Sequence, residues 1–165
     1  MKLTVSPLLL LVLLSCQPKV ENEKTDSKIT FKDELMGSWE LISTLQIKPD
    51  TTISTKTPGH KMIKIINQSH FAFLQHALKK EGDSSKTATP NTFVAGGGTY
   101  SLNNKEYTEH LEFCNYPEYE GNDFAFKLEI RGDTLIQSGE EKLKDLGIGE
   151  QNVKLIETYV RIKDK

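Results

Sequence analysis

Apolar and polar positions alternate with a period of two over most of this chain. Between residues 37 and 47, Trp39, Leu41, Ser43 and Leu45 share one side and Glu40, Ile42, Thr44 and Gln46 the other, the mark of an extended strand. Residues 123–131 alternate most cleanly, with Phe124, Phe126, Leu128 and Ile130 opposite Ala125, Lys127, Glu129 and Arg131. Tyr107, Glu109, Leu111 and Phe113 likewise oppose Thr108, His110, Glu112 and Cys114. Near the end of the chain, Glu157, Tyr159 and Arg161 oppose Ile156, Thr158, Val160 and Ile162. Residues 61–67 and 70–76 read as two more strands, the second with Phe71 and Phe73 on one side. Residues 92–102 and 134–138 bring the set to eight.

Turn chemistry separates these runs. Gln68-Ser69, Asn103-Asn104 and Gly132-Asp133 are tight connections, since Asn and Gly tolerate positive φ. Residues 48–60, 79–91 and 116–122 are loops rich in Pro, Gly and polar side chains. Residues 139–152 are charged and contain Gly147 and Gly149, with room for a helical turn at 140–146. Three glycines at 96–98 mark a place where a strand bends sharply or another backbone comes close. No lysine–serine or lysine–threonine pair follows them, so a phosphate cradle is the poorer reading.

Few of the connections are long enough for a crossover helix, so the strands pair as an antiparallel meander. Eight such strands without a second sheet predict an all-β fold, an eight-stranded antiparallel up-and-down barrel, whose closure removes exposed edges. Ahead of it, residues 30–36 suit a short N-terminal helix. Thr30 caps it, Asp33 and Glu34 sit near its positive end, and Phe31, Leu35 and Met36 make its apolar stripe. That helix would plug one end of the barrel.

The first residues follow different rules. Met1 and Lys2 precede a nearly pure apolar run from residue 7 to 14, too short to span a bilayer as a helix, which takes ~20 residues. Residues 1–15 therefore read as a secretory signal peptide. The run ends Leu13-Leu14-Ser15-Cys16, which resembles the lipobox of bacterial lipoproteins. The resemblance implies a lipidated Cys16 as the first mature residue and an exported chain held in the cell envelope, with the outer membrane as the expected address. Residues 16–29 would be the lipidated cysteine and a polar, flexible tether. Residues 30–165 form the single barrel domain.

Composition narrows the partners. The chain has 165 residues, with 21 basic and 23 acidic side chains and a net charge of −2. That balance argues against nucleic acid. With Cys16 lipidated, Cys114 stands alone and no intrachain disulfide forms.

Gly37-Ser38-Trp39 after a helical turn resembles the Gly-x-Trp signature of lipocalins and other calycins. In that superfamily an arginine on the last strand stacks on the tryptophan and closes the barrel. Arg161 stands where the resemblance places it. More narrowly, the chain is similar to lipocalin-like lipoproteins of Bacteroidetes-type bacteria, mostly of unassigned function. The similarity rests on the segments at 64–67, 70–73, 96–102, 107–113 and 157–162. It implies a barrel with Gly37, Trp39 and Arg161 as its closing residues, and says little about activity.

Candidate chemistry is sparse. His70 and His76 are six residues apart, ~20 Å along a strand, which is too far for one metal. His110 and Glu112 share a face but suit a solvated cross-strand charge pair better than a metal site. No nucleophile–base set is recognisable, so no catalytic residue, metal or cofactor is expected and an enzyme is the least favoured class. Glu109 shares the face of Tyr107 and Leu111; if that face points inward, the acid needs a partner or a raised pKa.

Two functions follow from the barrel. In one, it binds a small apolar or amphipathic molecule, with Phe71, Phe73, Tyr100, Tyr107, Phe124 and Phe126 as walls and Gln75 and Glu109 as polar contacts. In the other, the interior is filled and the domain serves as an envelope protein-interaction module through its loops at 48–60 and 115–122.

Overall fold

The structure is a computed structural model and describes residues 29–48, 50–55, 59–78, 93–147 and 149–163. The signal segment, Cys16 and the tether as far as residue 28 lie outside the described residues. A five-residue helix, α1 (Phe31–Leu35), opens the fold. Thr30 caps it as a capping box, its hydroxyl accepting from the Asp33 amide at 3.2 Å while the Asp33 carboxylate accepts from the Thr30 amide at 2.9 Å. The Thr30 hydroxyl, which also donates to that carboxylate at 2.6 Å, and then the Thr30 amide hold the Asp33 carboxyl below its ordinary pKa.

The strands are β1 (Gly37–Lys48), β2 (Thr51–Ser54), β3 (His60–Ile66), β4 (His70–Ala77), β5 (Phe93–Asn103), β6 (Glu106–Cys114), β7 (Asp123–Arg131), β8 (Thr134–Glu141) and β9 (Val153–Arg161). All but β2 form a closed eight-stranded antiparallel barrel, from β1 through β3 to β9 and back to β1. The expected all-β barrel with a short helix is therefore the fold. The ninth strand, β2, lies in the expected loop at 48–60. It folds back on Leu45–Lys48 of β1 and is exposed throughout.

Two bulges correct the period-two reading. Along β1 and β9, Leu41 faces Tyr159 but Ser43 faces Thr158, so Ile42 is an extra residue. The parity of β1 flips there: Thr44 and Gln46 follow Trp39 and Leu41 into the interior, where alternation alone would have put Ser43 and Leu45. Opposite the glycine triplet, Gly97 faces Phe113 and Gly98 faces Leu111, which makes Glu112 the extra residue of β6. Phe113 therefore turns outward, 67% exposed, and Cys114 turns inward. The glycines permit this crowding, because a Cβ on Gly98 would stand 2.0 Å from the His110 carbonyl oxygen.

Strand β8 also runs to Glu141 and not 138, and hydrogen-bonded turns stand where a helical turn at 140–146 was expected. The Leu146 amide donates to the Lys142 carbonyl there at 3.0 Å.

The two ends of the barrel differ. Tight hairpins at 67–69, 104–105 and 132–133 and helix α1 gather at one end; the longer connections gather at the other. Leu35, Trp39, Tyr107, Leu128, Leu135 and Tyr159 are at most 1% exposed and fill the hairpin end, each contributing ~1.5–3 kcal/mol or more of burial. There the Arg161 guanidinium lies 4.1 Å above the Trp39 ring. It donates to the Met36 carbonyl at 2.9 Å and to the Glu34 carbonyl, while the Trp39 indole N–H donates to the Leu35 carbonyl at 2.9 Å. Gly37 completes the closure: its φ is +133°, and a Cβ would lie 2.9 Å from an Arg161 guanidinium nitrogen.

Candidate functional site

A cavity of about 400 Å³ occupies the half of the barrel away from α1. Its apolar walls include Met62, Phe73, Leu111, Phe124, Phe126 and Leu155, and Tyr119 of a short 3₁₀ turn (Pro117–Tyr119) stands at its rim. A smaller chamber of about 210 Å³ adjoins it, lined by Thr44, Gln46, His60 and Gln75 among others. Both are lined by Met62, Glu141, Leu155 and Glu157, which join the chambers. The smaller chamber lies where β1 and β3 part company, since their ladder runs only from Gly37–Ile66 to Glu40–Ile63.

The floor of the larger chamber is ionic. Lys64, 2% exposed on β3, donates to the Glu109 carboxylate at 2.6 Å and to the Gln137 side-chain carbonyl at 2.9 Å. The rings of Tyr159, Phe71 and Phe126 surround its ammonium at 5.3, 5.9 and 6.0 Å. Two ions are tolerable in this apolar setting only because each satisfies the other.

Two further acids stand above that pair. Glu157 on β9 accepts from the Tyr159 hydroxyl at 2.7 Å. Burial raises its pKa; Lys64 and the Tyr159 hydrogen bond work in the opposite direction. Glu141, at the end of β8, is pushed up to about 7 by burial and then by the negative charge of Glu157. Burial, aided by Glu157, also holds the Tyr159 phenol well above its ordinary value. Among the described residues the Tyr107 hydroxyl is buried without a hydrogen-bond partner, and burial and the Glu109 charge raise its pKa as well.

The expected wall residues divide by height. Phe73, Glu109, Phe124 and Phe126 line the larger chamber, and Gln75 the smaller. Phe71, Tyr100 and Tyr107 lie lower, in the packed hairpin end. The Tyr100 ring is 5.2 Å from that of Tyr107, and its hydroxyl donates to the Asn67 carbonyl at 2.8 Å. His110 and Glu112 do not converge. His110 pairs with Asp123 across β6 and β7 at 2.7 Å, and Glu112 accepts from the amide and hydroxyl of Thr99. Among the described residues, no group of three or more His, Cys, Asp or Glu side chains is arranged to hold a metal ion.

The family model for DUF4488, a domain of unknown function, matches residues 34–165. The chain belongs to the DUF4488 family. None of the curated proteins compared with this DUF4488 chain matches it significantly. The matched region contains every strand, and its closed barrel is compatible with a calycin-like fold.

Three cavity groups of this DUF4488 domain escaped the reading of its sequence. Lys64 belongs to a strand apolar on both faces, so alternation did not say that it pointed inward with Met62 and Ile66. Glu141 falls in the charged segment 139–152, where the sequence suggests a helical turn, and it ends strand β8 instead. Cys114 was hidden by the bulge at Glu112. Glu157 was legible, because it shares parity with Tyr159 and Arg161.

Proposed function

We propose that this DUF4488 domain binds a small amphipathic molecule inside its barrel, as an exported protein held at the envelope membrane by lipid on Cys16. The observation that carries the reading is the cavity of about 400 Å³, with aromatic and aliphatic walls and a few converging polar groups. Such a combination suits a ligand with an apolar body and one polar end. The packed hairpin end supports it: Trp39 and Arg161 close the base, and among the described residues no element plugs the other half.

Native mass spectrometry of the full chain, isolated from the envelope of its own host, tests this. A discrete adduct that an added amphiphile displaces is the expected result. A clean apo mass after exposure to host lipids and metabolites would count against it.

The second reading, an envelope protein-interaction module, draws on the outer surface. Phe113 and Phe93 are 67% and 51% exposed there, beside Leu74 and Ile65 at 37% and 41%. Ile65, Ala72, Gly97 and Phe113 form one continuous row across four strands, the kind of apolar patch that marks a contact surface.

A further inference from the structure

We propose that the cavity selects a positively charged amphiphile, an amine whose ammonium group sits between Glu141 and Glu157 and whose apolar body lies along Phe73, Phe124 and Phe126. This rests on the small-molecule reading above and adds the chemical class of the ligand.

The argument is one of charge balance inside an apolar cavity. Lys64 and Glu109 neutralise each other at 2.6 Å, and Gln137 takes a second ammonium proton. That leaves Glu141 and Glu157. Both line both chambers, so both residues stand at the junction. Glu157 has the Tyr159 hydroxyl; Glu141 accepts no side-chain hydrogen bond from any described residue. The other titratable groups that face them are His60 across the smaller chamber and Cys114, Tyr116, Glu118 and Tyr119 at the rim of the larger.

Like charges in a medium of low dielectric repel strongly, and each lacks the hydration it has in water. A ligand ammonium would relieve both penalties at once, and its hydrogen-bond donors are the complement that Glu141 lacks. A ligand carboxylate would instead add another negative charge beside these two acids. An uncharged hydroxyl head would donate one hydrogen bond but leave the negative charge unneutralised. The walls supply the rest of the selectivity: at about 400 Å³ the chamber has room for an alkyl or aryl body, so a small inorganic cation would leave it largely unfilled. The raised pKa of Glu141 agrees with this geometry, since a bound cation would favour its ionised form and release a proton on binding near neutral pH.

Isothermal titration of the full chain in lipid nanodiscs, with empty nanodiscs as the baseline, compares octylamine, octanol and octanoate. Octylamine should bind at least tenfold more tightly than octanol, with octanoate weakest. Glu141→Gln and Glu157→Gln should each shrink that preference by weakening octylamine more than octanol; melting curves establish that each variant is folded. The ranking on the unaltered chain stands as a test even if a variant fails to fold. Octanol or octanoate binding as tightly as octylamine would overturn the ligand class and leave the small-molecule reading intact. No heat above baseline for any of the three would overturn both.

Discussion

The ammonium of Lys64 lies 2.6 Å from the carboxylate of Glu109, two buried side chains 45 residues apart in the chain. They come from β3 and β6, strands that are not neighbours, so the pair bridges the barrel interior. Removing one partner strands the other in apolar surroundings. Lys64→Met should therefore cost ~3–5 kcal/mol, and Glu109→Gln a smaller amount because the amide still offers Lys64 an acceptor. The double variant Lys64→Met/Glu109→Leu should recover most of the loss. Urea denaturation measures all of these. Single variants within ~0.5 kcal/mol of the parent would mean that the pair is not buried as described.

Trp39 and Arg161 close the base together, and they should not contribute equally. Trp39→Ala removes a fully buried indole and should cost ~3–5 kcal/mol. Arg161→Ala loses a stacking contact of ~0.5–2 kcal/mol together with two hydrogen bonds to carbonyls at the C-terminal end of α1, those of Glu34 and Met36. Its expected cost is ~1–3 kcal/mol. The same denaturation experiment checks the order, and an Arg161→Ala loss above that of Trp39→Ala would contradict it.

Glu141 gives the stability a pH dependence of known sign. Its folded pKa, about 7, stands above its ordinary 4.5, so the folded state holds the proton more tightly than the unfolded state does. The penalty is absent below pH 4.5, grows between the two values and is full above about 7. Glu141→Gln removes it. The variant should match the parent near pH 4 and exceed it at pH 8 by up to ~3 kcal/mol. Melting temperatures across that range test this, and a gain that is the same at both pH values would refute the assignment.

Gly98 sets the bulge. A methyl group there would meet the His110 carbonyl oxygen at 2.0 Å and the Glu112 amide at 2.8 Å, both backbone. Neither can rotate away as a side chain would, so Gly98→Ala should cost ~2 kcal/mol or more by forcing β5 and β6 apart. Gly121, whose own Cβ would meet nothing within 4 Å, is the control for crowding; only its positive φ of 75° should be felt there.

The proposed lipid anchor has its own test. Cys16→Ser should move the protein out of the membrane fraction of its host, and a variant still in that fraction after a salt wash would dispose of the anchor.

Much of the architecture was legible without coordinates. Strict alternation at 123–131 and 153–161, turn residues between the runs and the absence of long crossovers specify an antiparallel barrel, because a strand buried on one face must repeat every second residue. The capping residues located the short helix, and the resemblance of Gly37-Ser38-Trp39 to the Gly-x-Trp signature, which implies Arg161, located the closed end. The binding half of the barrel was decided by tertiary structure. Single-residue bulges at Ile42 and Glu112 reversed the inward faces of Thr44, Gln46, Phe113 and Cys114, and alternation has no way to register an added residue. Lys64 could be recognised as an interior ion only once β3 and β6 stood across the barrel from each other. Glu141 and Glu157 became a pair only when β8 lay beside β9. Charge balance inside a cavity depends on which distant residues share it, and that is settled by closure of the sheet.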